Sequence, residues 1–424
     1  MKHLLLITNG FPPNAGTESG RAARFAKYLP EHGWQPHVIC SDWTTENCSR
    51  HDPNYGSPAV QQSVVGRVPP PRDLTRVSGL VNRWAKIARL LHGYRNPREW
   101  TDAVKSLLPD VLNRHQIDAV WATFPFRAPL HIADFIHQRW QIPWIADFRD
   151  VFEQGTPRPF HWWERSNEIR TVASASRIVT VSPALADVLA DRHRRPVDCL
   201  PNGFDAADFE RVPAASLPGF TILYAGCVHP PGSRVRTSPR VLFQAIDRLI
   251  ANRVLLRDDV RLLFYGVTKS KLQPHLTGCQ CEDRVECIEW IPRQEMYAAE
   301  KGATLLLLLG SDKMKGIMTA KVFEYLATGR PILAIPSDGD CIDALLEQTG
   351  VGLSASSVEE VANAVETSYR GWKTEGQFTI AGHADVIARY SCRGQTGSLA
   401  NLLNSIVSTS HPTVVRVGDG RTAA

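Results

Sequence analysis

The sequence contains no apolar run approaching the roughly 20 residues that a membrane-spanning helix requires. Its longest stretch of large apolar side chains, Leu305 to Leu309, suits a buried strand. The apolar start, His3 to Ile7, is too short for a convincing secretion signal, and no small-residue cleavage site follows it. These absences lead to the expectation of a cytosolic protein. The nine cysteines are odd in number and irregular in spacing, which argues for reduced thiols rather than a disulfide framework. His275, Cys279, Cys281 and Cys287 lie close in sequence but lack the Cys-x-x-Cys pairs of a structural zinc site. Also missing are the Gly-x-Gly-x-x-Gly dinucleotide turn, the Walker Gly-x-x-x-x-Gly-Lys loop and the Gly-x-Ser-x-Gly elbow. NAD chemistry, P-loop hydrolysis and serine-elbow catalysis are thereby disfavoured.

What is present is an ordinary globular balance, 43% hydrophobic and 21% charged, over 424 residues. That length fits two domains or three. The net charge of +5 is unevenly placed. Residues 67–105 carry nine basic side chains against Asp73, Glu99 and Asp102, so this segment alone exceeds the whole-chain charge. A single basic segment suits one local anionic contact and not an extended nucleic-acid face. Within it Arg83, Trp84, Arg89 and Trp100 mix cations with large apolar groups. That mixture suits an anionic lipid surface or a lipid-diphosphate acceptor, with peripheral attachment to the inner face of a membrane. It equally suits a solvated helical face with Trp84 and Trp100 in the core.

Short apolar runs alternate with helical periodicity, the pattern of parallel sheets covered on both faces. Strands are expected at 3–8, 36–40, 118–123, 144–148, 178–181 and 197–200. A second series is expected at 221–226, 261–266, 285–290, 304–309 and 331–335, after a polar, proline-bearing stretch at 202–219. The reading is α/β, with a Rossmann-like domain at 1–205 and a second at 216–380. A helical segment at 381–407 would pack back on the first domain, and 408–424 would form a frayed tail.

Ligands in such sheets sit beyond the carboxyl ends of the strands. Four segments fall there. Phe11 to Arg21 contains Gly16 and Thr17, where backbone amides and a helix N-terminus favour an anion; a surface loop capped by Ser19 is the plainer reading. Asp147, Arg149 and Asp150 follow a buried strand, either to hold a hydroxylated substrate or to form a structural ion pair. Lys321 and Glu324 share one helix face, where a lysine suits phosphate and a carboxylate suits paired ribose hydroxyls; a surface salt bridge is the alternative. Arg234 and Arg236 lie in a glycine- and proline-containing loop that could clamp a diphosphate or simply be solvated.

In their order and spacing, five segments resemble GT-B-fold glycosyltransferases, most closely family 4. They are the Phe-Pro-Pro loop with Gly16, Ala146 to Asp150, Val179 to Ser182, Leu200 to Asp205, and Lys321 to Pro331. The resemblance implies two Rossmann-like domains facing a central cleft and a retaining hexosyl-type transferase. It further implies a nucleotide-diphosphate sugar as donor substrate, with no metal or other cofactor. The acceptor would be a glycan or a lipid-linked molecule in polysaccharide or glycoconjugate assembly. Glu324 would bind ribose hydroxyls, and backbone around Ile291 would meet the base. Lys321, Arg234, Arg236 and the amides near Thr319 would hold the diphosphate, with Gly16 and Thr17 closing over it. Asp147, Arg149 and Lys321 are the catalytic candidates. Three positions depart from the family pattern: Gly316 replaces the first of its paired glutamates, Cys227 a common arginine, and Arg149 a common histidine. A sugar-nucleotide epimerase or hydrolase of the same fold, or a non-catalytic nucleotide-binding relative, would use the same residues.

Overall fold

The computed structural model describes residues 1–15, 17–43, 56–70, 97–153, 156–229, 238–289, 291–310, 316 and 318–409. Two parallel sheets organise the chain. The first comprises β1 (Lys2–Ile7), β2 (Trp34–Ser41), β3 (Val64–Val68), β4 (Ala119–Thr123), β5 (Trp144–Phe148), β6 (Arg177–Thr180) and β7 (Asp198–Cys199), in the order β3-β2-β1-β4-β5-β6-β7. The second comprises β8 (Phe220–Ala225), β9 (Val260–Tyr265), β10 (Val285–Ile288), β11 (Leu305–Leu309), β12 (Ile332–Ile335) and β13 (Gly352–Ser354), in the order β10-β9-β8-β11-β12-β13. Both sheets therefore reverse strand order beside their first strand, the doubly wound topology that opens a crevice at that point. This is the α/β, twice-Rossmann architecture of the GT-B fold.

The apolar runs account for these strands. Every residue of β4, β5, β8, β11 and β12 is buried, as strands covered on both faces must be. Each lies within one or two residues of the expected position. Two strands had no comparable signal: β3 is only part-buried except at Val68, and β13 is three residues long at the sheet edge.

The chain divides into two compact units. One contains Met1–Val179, Arg192–Asp198 and Thr396–Ala424; the other contains Thr180–Asp191 and Cys199–Gln395. Within the first, the part of the C-terminal helix Cys392–Thr409 from Thr396 onward reaches β1, where Lys2 Nζ donates to Asn404 Oδ1 at 2.9 Å. The expected tail beyond residue 409 lies outside the described residues. Within the second, the polar stretch after β7 is no loose linker. Asp205 caps the short helix Ala206–Glu210, and buried Phe209 and Val212 pack on Tyr297. Lys301 Nζ then donates to the carbonyls of Phe209 and Val212.

Candidate active site

In the first unit the loop after β1 is not a surface loop. Phe11 to Asn14 are buried, and the helix that follows starts at Thr17, so Ser19 sits in its first turn instead of capping it. Gly16 lies outside the described residues, and only the backbone of Thr17 is described. Arg67 Nη2 donates to the Pro12 carbonyl at 2.9 Å, and Trp100, fully buried, donates Nε1–H to Ser41 Oγ at 2.8 Å. These two members of the basic segment thus serve the loop and the core. Arg72 to Arg95, with Trp84, lie outside the described residues.

Asp147, the next-to-last residue of β5, has no solvent exposure. Its carboxylate accepts Nε–H and Nη2–H of Arg21, the latter at 2.8 Å, and the hydroxyl of Thr123 at 2.8 Å. Arg21 in turn stacks over Phe25, 5.0 Å from the ring centre. Sequence reasoning weighed an ion pair here but not this partner. The signal was available only as a rule, that a carboxylate at the end of a fully buried strand must be paired. Arg149 is half-buried and donates Nε–H to the Phe124 carbonyl at 3.0 Å, which holds it at the carboxyl end of β4.

In the second unit the helix Ala320–Thr328 follows β11 and presents two faces. Val322, Phe323, Tyr325 and Leu326 are buried, which leaves Lys321 and Glu324 together on the other side. Tyr325 fixes the helix to the crevice: its hydroxyl accepts the amide N–H of Ala225, the last residue of β8, at 3.0 Å. Thr319 is the N-cap and is exposed, and its side chain makes no capping bond. Gly329, in a left-handed conformation, ends the helix.

Lys321 Nζ stands 2.7 Å from Glu324 Oε2 and 3.6 Å from Glu300 Oε1. Arg293 reaches the other oxygen of Glu324 at 3.4 Å and also contacts the hydroxyl of Tyr297. Burial works against the lysine charge, but Glu324 and then Glu300 hold its pKa above the usual lysine range. Burial pushes the Glu300 carboxyl up to about 7, with Lys321 opposing. Chemically the group offers a fixed cation and open helix amides for an anion, beside a carboxylate suited to a diol. Arg293 and Glu300 escaped sequence reasoning because both belong to Arg293–Gly302, a helix that reads as polar. Its pattern places Tyr297 and Glu300 three apart, on one buried face.

Ile291 is part-buried at the start of that helix, against the core of the unit. Gly316 has φ of +78°, and a Cβ there would lie 2.8 Å from Ala184 Cβ, so a glutamate does not fit this backbone. Cys227 is exposed, and its carbonyl accepts the hydroxyl of Tyr224. Arg234 and Arg236 lie outside the described residues; His275 bonds the His229 carbonyl at 3.1 Å and the Ser238 hydroxyl at 3.0 Å. Among the described residues no group of three His, Cys, Asp or Glu side chains could hold a metal ion, and no helix is long and apolar enough to cross a membrane.

The fold is that of the GT-B glycosyltransferases. Residues 21–208 match the family model described as Glycosyltransferase Family 4, and that stretch of the chain is similar to the family. No curated protein sequence matches it. Solved structures of the same fold include sucrose-phosphate synthase from Thermosynechococcus elongatus, with TM-score 0.60 and 15% identity over 97% of this chain and 100% of that one. HepE from Anabaena, in complex with UDP and glucose, has TM-score 0.58 and 12% identity over 96% and 100%. The putative UDP-N-acetylglucosamine 2-epimerase from Listeria monocytogenes has TM-score 0.54 and 11% identity over 97% and 98%. At these identities the likeness is one of fold.

Proposed function

We propose that the protein transfers a hexose, with retention of anomeric configuration, from a nucleotide-diphosphate donor to a hydroxylated acceptor in polysaccharide or glycoconjugate assembly. The observation that carries this reading is the pairing of Lys321 with Glu324 at the N-terminal end of Ala320–Thr328, beside the carboxyl end of β11. Glu324 accepts the ribose hydroxyls, and backbone at Ile291 borders the base. Lys321, the amides after Thr319, and Arg234 and Arg236 hold the diphosphate, with Gly16 and Thr17 at the donor as well. The UDP and glucose bound by HepE support a donor of this kind.

As the bond from the anomeric carbon to the diphosphate oxygen breaks, negative charge grows on the leaving group. Fixed cations and amides stabilise that charge without reorganisation, which is usually the largest catalytic contribution in such transfers. No metal or other cofactor is assigned to this step. Arg149 is the cation of the first unit assigned to the reacting sugar. Asp147 acts through Arg21, holding the end of β5 in place. The acceptor, a glycan or a lipid-linked molecule, falls to the first unit. Any peripheral contact with an anionic membrane falls to the undescribed part of residues 67–105.

The test is a donor screen with UDP-, GDP-, ADP- and TDP-sugars by thermal shift, followed by kinetics of two variants. Glu324→Ala should weaken nucleotide binding, whereas Lys321→Ala should lower kcat more than it raises KM. Wild-type kinetics in both variants would remove the assignment. Donor consumption that never requires an acceptor would make the protein a hydrolase or epimerase instead.

A further inference from the structure

Glu300 is a carboxylate that the donor assignment leaves unused. It is fully buried, and neither of its oxygens has a hydrogen-bond partner among the described residues. Its counter-charge, Lys321 Nζ at 3.6 Å, lies nearer to Glu324 at 2.7 Å. Two carboxylates thus compete for one ammonium, and the buried one is the looser partner. A carboxylate kept from both water and hydrogen bonds favours its neutral form. The charged and titratable groups that face it are Lys321, Glu324 and Tyr325 from Ala320–Thr328 and Arg293 from its own helix.

We propose that Glu300 is a positioning residue of the Lys321 anion site, taking a proton from solvent when the donor diphosphate binds so that the ammonium faces the ligand alone. This rests on the assignment of the diphosphate to Lys321. Two phosphate charges near Lys321 repel an ionised Glu300 and draw away the ammonium that stands 3.6 Å from it. Ribose hydroxyls on Glu324 free the lysine from its other partner in the same event. Protonation then removes the competing anion; no covalent bond to carbon or phosphorus changes, and the proton returns to solvent on release. The free carboxyl titrates near 7, so it is available in both forms at neutral pH. By reciprocity, a ligand that promotes proton uptake binds more tightly at lower pH. Donor affinity should therefore fall as pH rises through about 7.

Titration calorimetry of the full chain at pH 7.5, in two buffers of different ionisation enthalpy, measures this directly. The probe is whichever of UDP-glucose, GDP-mannose, ADP-glucose and TDP-glucose binds. The diphosphate diester of these donors has no ionisation near neutrality, so any proton belongs to the protein. Wild type should take up about half a proton or more per donor, with affinity falling several-fold from pH 7 to 8.5. In Glu300→Gln the uptake should vanish and the pH profile flatten. The corresponding nucleoside, lacking phosphate, should cause no uptake in wild type. Donor binding with no uptake in wild type overturns the inference and leaves the proposed function standing. Uptake that persists in a folded Glu300→Gln also overturns it. If no sugar nucleotide binds wild type, both readings fall. The wild-type measurement decides even if the variant does not fold.

Discussion

Arg21 and Asp147, 126 positions apart in sequence, form a bidentate ion pair in which Arg21 is almost wholly and Asp147 wholly removed from solvent. Removing one partner of such a pair strands a buried charge, at a typical cost of about 3–5 kcal/mol. Arg21→Leu should therefore lower the thermal midpoint sharply. The double variant Arg21→Leu/Asp147→Leu should be less damaged than either single one, because no charge is left uncompensated. Additive losses in a double-mutant cycle would show that the pair is not coupled.

Gly316 stands where the family places the first of two glutamates. Restoring the family residue should not restore a family contact. With φ at +78° and Ala184 Cβ 2.8 Å from the would-be Cβ, Gly316→Glu must strain or shift the backbone. Strain of this kind costs on the order of 1–3 kcal/mol. The expected outcome is a lower melting midpoint and no gain in donor affinity; tighter donor binding by the variant would contradict this.

Glu300 makes stability depend on pH in a direction opposite to that of most carboxylates. Its folded value of about 7 lies above the ordinary 4.5. The stability associated with the neutral form is full below about pH 4.5 and is lost as pH rises through 7. The loss at pH 8 is on the order of 3 kcal/mol. Glu300→Gln keeps a neutral side chain at every pH. Chemical denaturation should show the variant gaining on wild type between pH 5 and 8, and a constant difference would place the ionised form outside the buried pocket.

Tyr325→Phe keeps the ring and removes the acceptor for the Ala225 amide. The ladder between β8 and β11 covers only the pairs Leu305↔Ile222 and Leu306↔Leu223, so Ala225 depends on this hydroxyl. An unsatisfied buried amide costs about 1–3 kcal/mol. The variant should be less stable by that order. Hydrogen exchange at Ala225 should accelerate, and unchanged protection there would refute the role.

The parts of this fold that could be read from sequence are those where burial is continuous. The Leu305 to Leu309 run and the Trp144 to Phe148 run announce strands because every residue is buried on one face or the other. Edge strands β3 and β13 lack that pressure and escaped. Lys321 and Glu324 were legible because helical periodicity puts neighbours in sequence onto one face. Arg21 with Asp147, and Glu300 with Lys321, were not. Those partners meet only through the order of strands and helices, and a buried charge looks in sequence like any solvated one.

The repeated strand order gives the chain two sockets of one design, beside β1 and beside β8, and their charges are engaged in different ways. At the first, the carboxylate is plugged by the chain's own guanidinium and hydroxyl, so Asp147 acts as its own internal ligand site, already filled. At the second, Glu300 and Glu324 share Lys321, and Arg293 takes the other oxygen of Glu324. An incoming diphosphate must draw the lysine away from both carboxylates, and a diol on Glu324 helps to release it. Discrimination against free inorganic phosphate would follow, since an anion without a sugar ring brings the repulsion and none of the compensation.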